Sequence, residues 1–339
     1  MLRDVAINPS FPPDVVENER DRLLGAAPGD ADDVERVTRR NLFVAIYGRS
    51  HPYARIYLRN EAELRNLTRD DIVRVWRKTS DPARATLVIA GDVDGDALRE
   101  RVQSLFGGWA PDQPRATVAR VPPPAPVASR LIVIDRPGAR HAKVFFAAQT
   151  GPIDAPEHVA KLVVRELLGG MHSSAIRTKL RDELGFTWSG QAGINARPIA
   201  GVLWWEGSVP SDRTAAALAA LHVRIAALRD SGPGAAELAA AKRSTAMAAT
   251  RRFETAQGTT GLFGEIAAYG QPADFLATLY VRLEALPAEA VRAAVPAPDT
   301  MKAVVAGDLA TLRAPLLALG WGPIAEHDAD GNFVRTIGP

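Results

Sequence analysis

Two stretches of this chain share one pattern. Residues 87–109, LVIAGDVDGDALRERVQSLFGGW, and residues 303–323, AVVAGDLATLRAPLLALGWGP, both read as a strand, an Ala-Gly-Asp turn and a helix ending in Gly and Trp. Upstream of each, NLTRDDIVRVW answers ALPAEAVRAAV, and FVAIYGRSHPY answers GEIAAYGQPADF. Three matches in the same order point to an internal duplication, in which each copy is one folding unit. Subtracting 91 from 307, for Gly91 and Gly307, gives an offset of 216. The globular part of the second copy opens at Leu131, so its counterpart in the first copy would lie 85 positions before residue zero (131 − 216). The first copy is therefore expected to be short of its front end, either by trimming or because that part lies outside these 339 residues. By analogy with residues 131–210, that front end holds two strands, two helices and a hairpin.

Between the copies, Pro111, Pro114, Pro122, Pro123, Pro124 and Pro126 crowd one segment. Proline at that density removes backbone donors and fixes φ, so the segment reads as a semi-rigid extended linker. The expected organisation is a truncated first domain over 1–110, a linker over 111–129 and a complete second domain over 130–339. The expected fold class is α+β: each domain a mixed or antiparallel sheet with helices packed on one face.

Coarse patterning supplies the elements. VVENERDRLLGAA after Pro12-Pro13, DDVERVTRRNLFVAIYG ending at Gly48, and NLTRDDIVRVW with a Thr68/Asp71 capping box all read as helices. ATLVIAGD (85–92) reads as a short buried strand, and DGDALRERVQSLFGGW as a helix. In the second half, LIVIDR, AKVFFAAQ and MKAVVAGD read as strands, and FTWSGQAGINAR with GVLWWEGSVP as a hairpin around Pro198. EHVAKLVVRELLGG and SSAIRTKLRDELG read as helices, with four or five Ala-rich helical stretches from Ser211 to about Ala294.

Composition excludes several chemistries. The chain has no Cys, which removes disulfides, thiolate zinc sites and cysteine nucleophiles. Lys+Arg number 41 against 39 Asp+Glu, a net charge of +2, so no dense basic stripe for nucleic acid is present. No apolar run approaches the roughly 20 residues that cross a bilayer. The N-terminal residues MLRDVAINPSFPPDVVENERD have neither a basic n-region nor an apolar h-region, so no signal peptide is expected. No G-x-S-x-G, Walker A or G-x-G-x-x-G motif occurs. Six histidines (His51, His141, His158, His172, His222, His327) form no H-x-x-E-H or H-x-x-x-H pair. His51-Pro52-Tyr53 reads as a turn. Arg251-Arg252 reads as a solvated helix end. Of Trp204 and Trp205, adjacent on a strand, one faces the core and the other covers a neighbouring helix or lines a groove.

One segment stands apart: LLGGMHSSAIRTKLRDELGFTWSG, residues 167–190. It resembles a hallmark of the insulinase/pitrilysin zinc peptidases: Leu168-Gly169-Gly170, Ser174 before a helix, Leu180-Arg181, and Gly185 before an aromatic position. The resemblance extends along the chain. NPSFPPDVVENERDRLL looks like the helix after that family's zinc motif, and HPYARIYLRNEAELRNLTRDDIVRVW with ATLVIAGDVD matches its next stretch. RRFETAQGTTGLFGEIAAYGQP is similar to a late helical segment of bacterial members.

The resemblance implies two homologous α+β halves that close as a clamshell, built from two subunits in short bacterial members. Zinc comes from an H-x-x-E-H helix and a later Glu of a first half, while an Arg and a Tyr of a second half bind the substrate carbonyl and the developing oxyanion. Zinc lowers the pKa of its water, and fixed donors stabilise the charge that forms.

This sequence departs from that scheme. The later zinc ligand should lie seven residues after the Glu of the Glu19-Arg20 pair, which is Ala26, and a methyl group ligates nothing. Trp188 stands where the family has Tyr, leaving one N–H donor and no ionisable hydroxyl. Arg181 keeps the forked guanidinium suited to a carbonyl or oxyanion, or else is an exposed helix arginine paired with a carboxylate. Gly169, Gly170 and His172 are possible lining of that site, and His172 equally suits a loop of no special role.

The resemblance thus implies a zinc-free subunit of a heterodimeric peptidase. This chain binds no metal, and zinc sits in a homologous partner that acts on peptide. A cell-envelope location is favoured over the cytoplasm, with neither nucleic acid nor a membrane span. The competing reading is a non-catalytic scaffold or binding protein of the same descent.

Overall fold

The computed structural model describes residues 1–26, 32–58, 61–110, 121–125, 128–187, 190–272 and 274–338. By contact the chain divides into two compact units. One comprises Met1–Pro28, Asn60–Arg120 and Thr250–Ala273; the other comprises Gly29–Arg59, Val121–Ala249 and Asp274–Pro339. The proline-rich segment expected as a linker falls largely outside the described residues.

The larger unit is built on a seven-stranded mixed sheet. Its strands are β1 (Leu131–Asp135), β2 (His141–Thr150), β3 (Gln191–Asn195), β4 (Gly201–Pro210), β5 (Lys302–Gly307), β6 (Ile324–His327) and β7 (Phe333–Ile337), in the order β3-β4-β2-β5-β1-β6-β7. β1 runs parallel to β5 and β6, and β2 runs antiparallel to β4 and β5. β3 and β4 form the expected hairpin. Side chains alternate across the sheet, and both sets are buried. Leu131, Val133, Val144, Phe146, Leu203, Trp205, Ala303 and Val305 enter one core, while Ile132, Ile134, Phe145, Ala147, Val202, Val304 and Ala306 enter a second. This two-sided burial explains why β1, β2 and β5 read as near-continuous apolar runs.

The first core lies under the helices His158–Arg165, Thr214–Ser231, Ala235–Thr250, Phe275–Ala285, Ala288–Ala294 and Leu309–Leu317. The second face, expected to be free of helices, is covered by the helix Val34–Tyr47. Asp33 caps that helix by accepting from the Glu35 and Arg36 amides at 3.0 and 3.2 Å. It terminates at Gly48, whose φ of +77° suits glycine. The reason it docks is compositional: Val37, Leu42, Phe43, Val44, Ala45, Ile46 and Tyr47 are all buried, too much apolar surface to leave in water.

Its polar residues are matched to the same face. Arg40 donates to the carbonyls of Tyr57 (3.0 Å) and Ala329 (2.7 Å) and to Asp330 (3.0 Å). Asn41 bridges the Asp328 carbonyl and His327 Nδ1, and the Tyr47 hydroxyl donates to Ala200 O at 3.1 Å. Under the helix lies a charged cluster. Buried Glu206 of β4 meets Lys143 Nζ at 2.9 Å, Gln191 Nε2 at 2.9 Å and Arg39 at 3.4 Å, and Lys143 also pairs with Glu35. Burial alone would raise the Glu206 pKa, but the Lys143 hydrogen bond and charge, with Gln191 and Arg39, outweigh it and hold the carboxyl below its ordinary value. Trp204 packs on this side, with the Arg39 guanidinium 6.0 Å from its ring centroid, so its outward face covers a helix.

The smaller unit is mainly helical: Leu2–Ile7, Pro13–Gly25, Glu61–Asn66, Arg69–Thr79, Gly95–Phe106 and Ala256–Ala268. The strand expected over 85–92 does not form among the described residues. The segment joins no ladder, with Leu87 44% and Ile89 43% exposed. A lone strand has no partner for its backbone groups, and the seven-stranded sheet lies wholly within the other unit.

His158 yields a pH test. Burial, aided by the charges of Lys161 and Arg282, pushes its pKa down to about 4 from an ordinary 6.5. Between those values the unfolded chain binds the proton and the folded chain does not, so stability is lost as pH falls from about 6.5 toward 4. Urea unfolding across this window should show up to about 3 kcal/mol of acid destabilisation from this site. His158→Gln should flatten that component, and an unchanged pH slope in the variant would contradict the assignment.

Candidate functional site

The Leu-Gly-Gly segment follows the helix His158–Arg165 through a wide turn, Glu166–Gly170, in which the Met171 amide reaches back to Glu166 O at 3.4 Å. A five-residue reach of this kind is a π-turn, a geometry common at functional positions. Gly169 sits at φ +141°, and a Cβ there would come within 3.2 Å of the Ala192 amide nitrogen and 3.3 Å of Trp205 Cδ1. Gly170 is restricted differently, because a Cβ would meet the Glu166 carboxylate at 2.7 Å. That buried carboxylate pairs with Arg165 and accepts from Ser244 Oγ at 2.8 Å. The two glycines therefore permit close packing against β3, Trp205 and Glu166.

The chain then enters a second wide turn. Ser174 caps Ala175–Arg177 by accepting from the Arg177 amide at 3.3 Å, and Thr178–Glu183 closes with Leu184 N on Lys179 O at 3.1 Å. Gly185 at φ +63° reverses the chain, and Phe186 N bonds Leu180 O at 2.7 Å. Ile176 and Leu180 are anchored in the first core. Arg181, on the next position, has a side chain 38% exposed with Nε 3.7 Å from Asp182 Oδ1. A contact of that length at that exposure is a weak restraint. The turn thus carries a half-exposed guanidinium on a buried foundation.

Trp188 lies outside the described residues, while the residues flanking it are fixed: Thr187 is buried, and a Cβ on Gly190 would meet Trp205 Cζ2 at 2.8 Å. The Trp205 indole therefore organises both ends of the motif, touching Gly169 on one side and Gly190 on the other. Sequence reasoning singled out Trp205 only as one of a pair of strand tryptophans, and it missed Glu166, Ser244 and Gly190. The glycine spacing around the motif was the available signal.

His172 is exposed. Ala26 follows the helix Pro13–Gly25, is exposed, and belongs to the smaller unit. His51 forms the expected turn, its Nδ1 accepting from the Tyr53 amide at 3.1 Å. Among the described residues no group of three or more His, Asp or Glu side chains converges on a point. With a methyl group at the expected ligand position, this donor set does not fit zinc.

Comparison with known proteins gives the family. A sequence model described as the Peptidase M16 inactive domain matches residues 66–245, more than half of the chain. An uncharacterized zinc protease of Mycobacterium leprae, ML0855, is 24% identical over 208 residues, covering 60% of this chain and 45% of that protein. The chain thus matches less than half the length of that relative. Among solved structures, a peptidase M16 inactive domain from Pseudomonas fluorescens superposes with a TM-score of 0.78 at 21% identity, over 90% of this chain and 73% of that one. A protease from Helicobacter pylori gives 0.76 at 17% identity, over 86% and 72%. The periplasmic protease PqqL from Escherichia coli gives 0.66 at 12%, over 87% of this chain and 32% of that one. These likenesses establish the fold, and the sequence match establishes descent: the chain belongs to the Peptidase M16 inactive domain family.

Proposed function

We propose that this chain is the zinc-free subunit of a heterodimeric M16 peptidase, in which a homologous partner carries the metal and this chain helps to enclose and bind the peptide. The observation that carries the reading is the pairing of Ala26 at the ligand position with a retained Arg181 on a well-anchored turn. In this reading Arg181 supplies charged donors to the substrate carbonyl or to the oxyanion formed when the partner's zinc-activated water attacks. Trp188 contributes an apolar face and one N–H in place of a phenol. In this reading Gly169 and Gly170 line the same site.

We also infer from the repeat that residues 1–110 and 130–339 are copies of one unit, joined by residues 111–129. A location in the periplasm or cell envelope accords with PqqL, which is described as periplasmic.

Cleavage of a peptide library by this chain, by a zinc-bearing homologue and by their mixture tests the reading. Activity should be confined to the mixture. Arg181→Ala should lower it by about 100-fold, the order of loss for removing one oxyanion donor, and Arg181→Lys should recover part. Cleavage by this chain alone contradicts the proposal. Full activity of the mixture with Arg181→Ala removes Arg181 from substrate binding and leaves a scaffold as the better account.

A further inference from the structure

Arg177 is the one half-buried arginine among the described residues whose side chain meets no carboxylate, carbonyl or aromatic ring. Its backbone is fixed, because Ser174 Oγ accepts from its amide at 3.3 Å and Ile176 and Leu180 beside it are buried in the first core. Its Nε is closed off from solvent and has no acceptor. A guanidinium that is simply hydrated keeps that N–H in water. Here the water is lost and nothing replaces it, a cost that a counter-charge on the same group offsets. The carboxylates of the turn are engaged elsewhere. Over residues 177–183 three cationic side chains accompany two acidic ones. Glu183 accepts from Lys179 at 2.6 Å, and Asp182 lies 3.7 Å from Arg181. Glu166, in the turn on which Ala175–Arg177 packs, is taken by Arg165 and Ser244.

We propose that Arg177 determines specificity: it binds a carboxylate of the peptide, one or two residues from the carbonyl that Arg181 holds. Arg177 and Arg181 stand four residues apart on a helical path through Ala175–Arg177 and Thr178–Glu183. That spacing brings side chains to about 5–6 Å from one another on one face. An extended peptide advances about 3.3 Å per residue, so the second guanidinium meets it one or two residues from the first. The planar fork of arginine pairs with both oxygens of a carboxylate, whereas a lysine would offer a single point charge. An Asp or Glu side chain and the free C-terminus of a peptide supply the same group. The assignment rests on the reading that this turn meets the peptide, and it adds which residues the peptide carries there.

Two measurements on one set of synthetic peptides test this. The peptides are amidated and carry Glu, Gln or Lys at one scanned position; a further series has Gln at that position and a free C-terminus at varying distance from the cleaved bond. In the mixture of this chain with a zinc-bearing homologue, kcat/KM for Glu, for the free C-terminus or for both should exceed that for amidated Gln by about tenfold, the size of one charge-assisted hydrogen bond, and only within two residues of the cleaved bond. Arg177→Gln should abolish the preference, and Arg177→Lys should retain part of it. Arg177→Glu should reverse it in favour of Lys, a reversal that lost packing does not produce. Fluorescence anisotropy of the labelled peptides with this chain alone should show the same order, lost in Arg177→Gln while helical circular dichroism is retained. Selective binding without any cleavage by the mixture would remove the heterodimer and leave the carboxylate site standing. Cleavage that depends on Arg181 but favours neither Glu nor a free C-terminus would overturn this proposal and leave the heterodimer standing, as would a preference that Arg177→Gln leaves intact. Equal binding of acidic and neutral peptides, with no cleavage by the mixture, would overturn both.

Discussion

Burial of the sheet on both faces is the constraint on which the larger unit depends. β1, β2 and β5 carry apolar side chains at nearly every position, so a helical layer on one side alone would leave Ile132, Ile134, Phe145, Val304 and Ala306 in water. Each of the Ile, Phe and Val side chains is worth about 1.5–3 kcal/mol when buried. The helix Val34–Tyr47 removes that exposure, and Asp33 and Gly48 cap its two ends. Everything placed by the sheet, including Trp205 on β4 and the glycine-rich turns that pack on it, inherits its rigidity from this two-sided closure.

The closure is not purely apolar. Glu206, Lys143, Gln191, Arg39 and Glu35 form a charged cluster between sheet and helix. Desolvating such groups is costly, and an apolar replacement would hold the helix at least as tightly. What the cluster adds is direction: a helix slid by one turn would take Arg39 away from Glu206 and Glu35 away from Lys143, while the Glu206 bonds to Lys143 and Gln191 stay within the sheet. The bonds of Arg40 to Ala329 and Asp330, and of Asn41 to Asp328 and His327, restrict the other end in the same way.

The sequence reveals those parts whose pattern depends only on burial. β1, β2, β5 and the β3–β4 hairpin were legible as apolar runs or alternation, and the helix 34–47 as an amphipathic stretch ending at glycine. What it covers was not legible, because amphipathicity shows that a face is buried but not against which surface. Residues 85–92 carry the same strand pattern as β5 and yet join no ladder among the described residues, since a strand needs a neighbour that its own residues do not specify. β6 and β7 escaped notice for the opposite reason: they are short, and β7 is mostly exposed at the sheet edge. At the site, the Leu-Gly-Gly motif and Arg181 were visible as a spacing. The π-turns and the role of Glu166 were not, because they arise from packing against Ser244 and Trp205, distant in sequence.

The chemistry turns on what position 26 can and cannot do. Zinc at a peptidase site requires three protein ligands and an open position for water, and an alanine in the ligand place removes the affinity as well as the activation of that water. In the proposed reading, this chain acts on peptide only through donors such as Arg181 and through surfaces that meet a partner. The most direct measurement is zinc binding by the purified chain at neutral pH, followed by calorimetric titration and elemental analysis after dialysis. The account predicts well below one zinc per chain and no change on Ala26→Glu alone; one tightly held zinc per chain would contradict it.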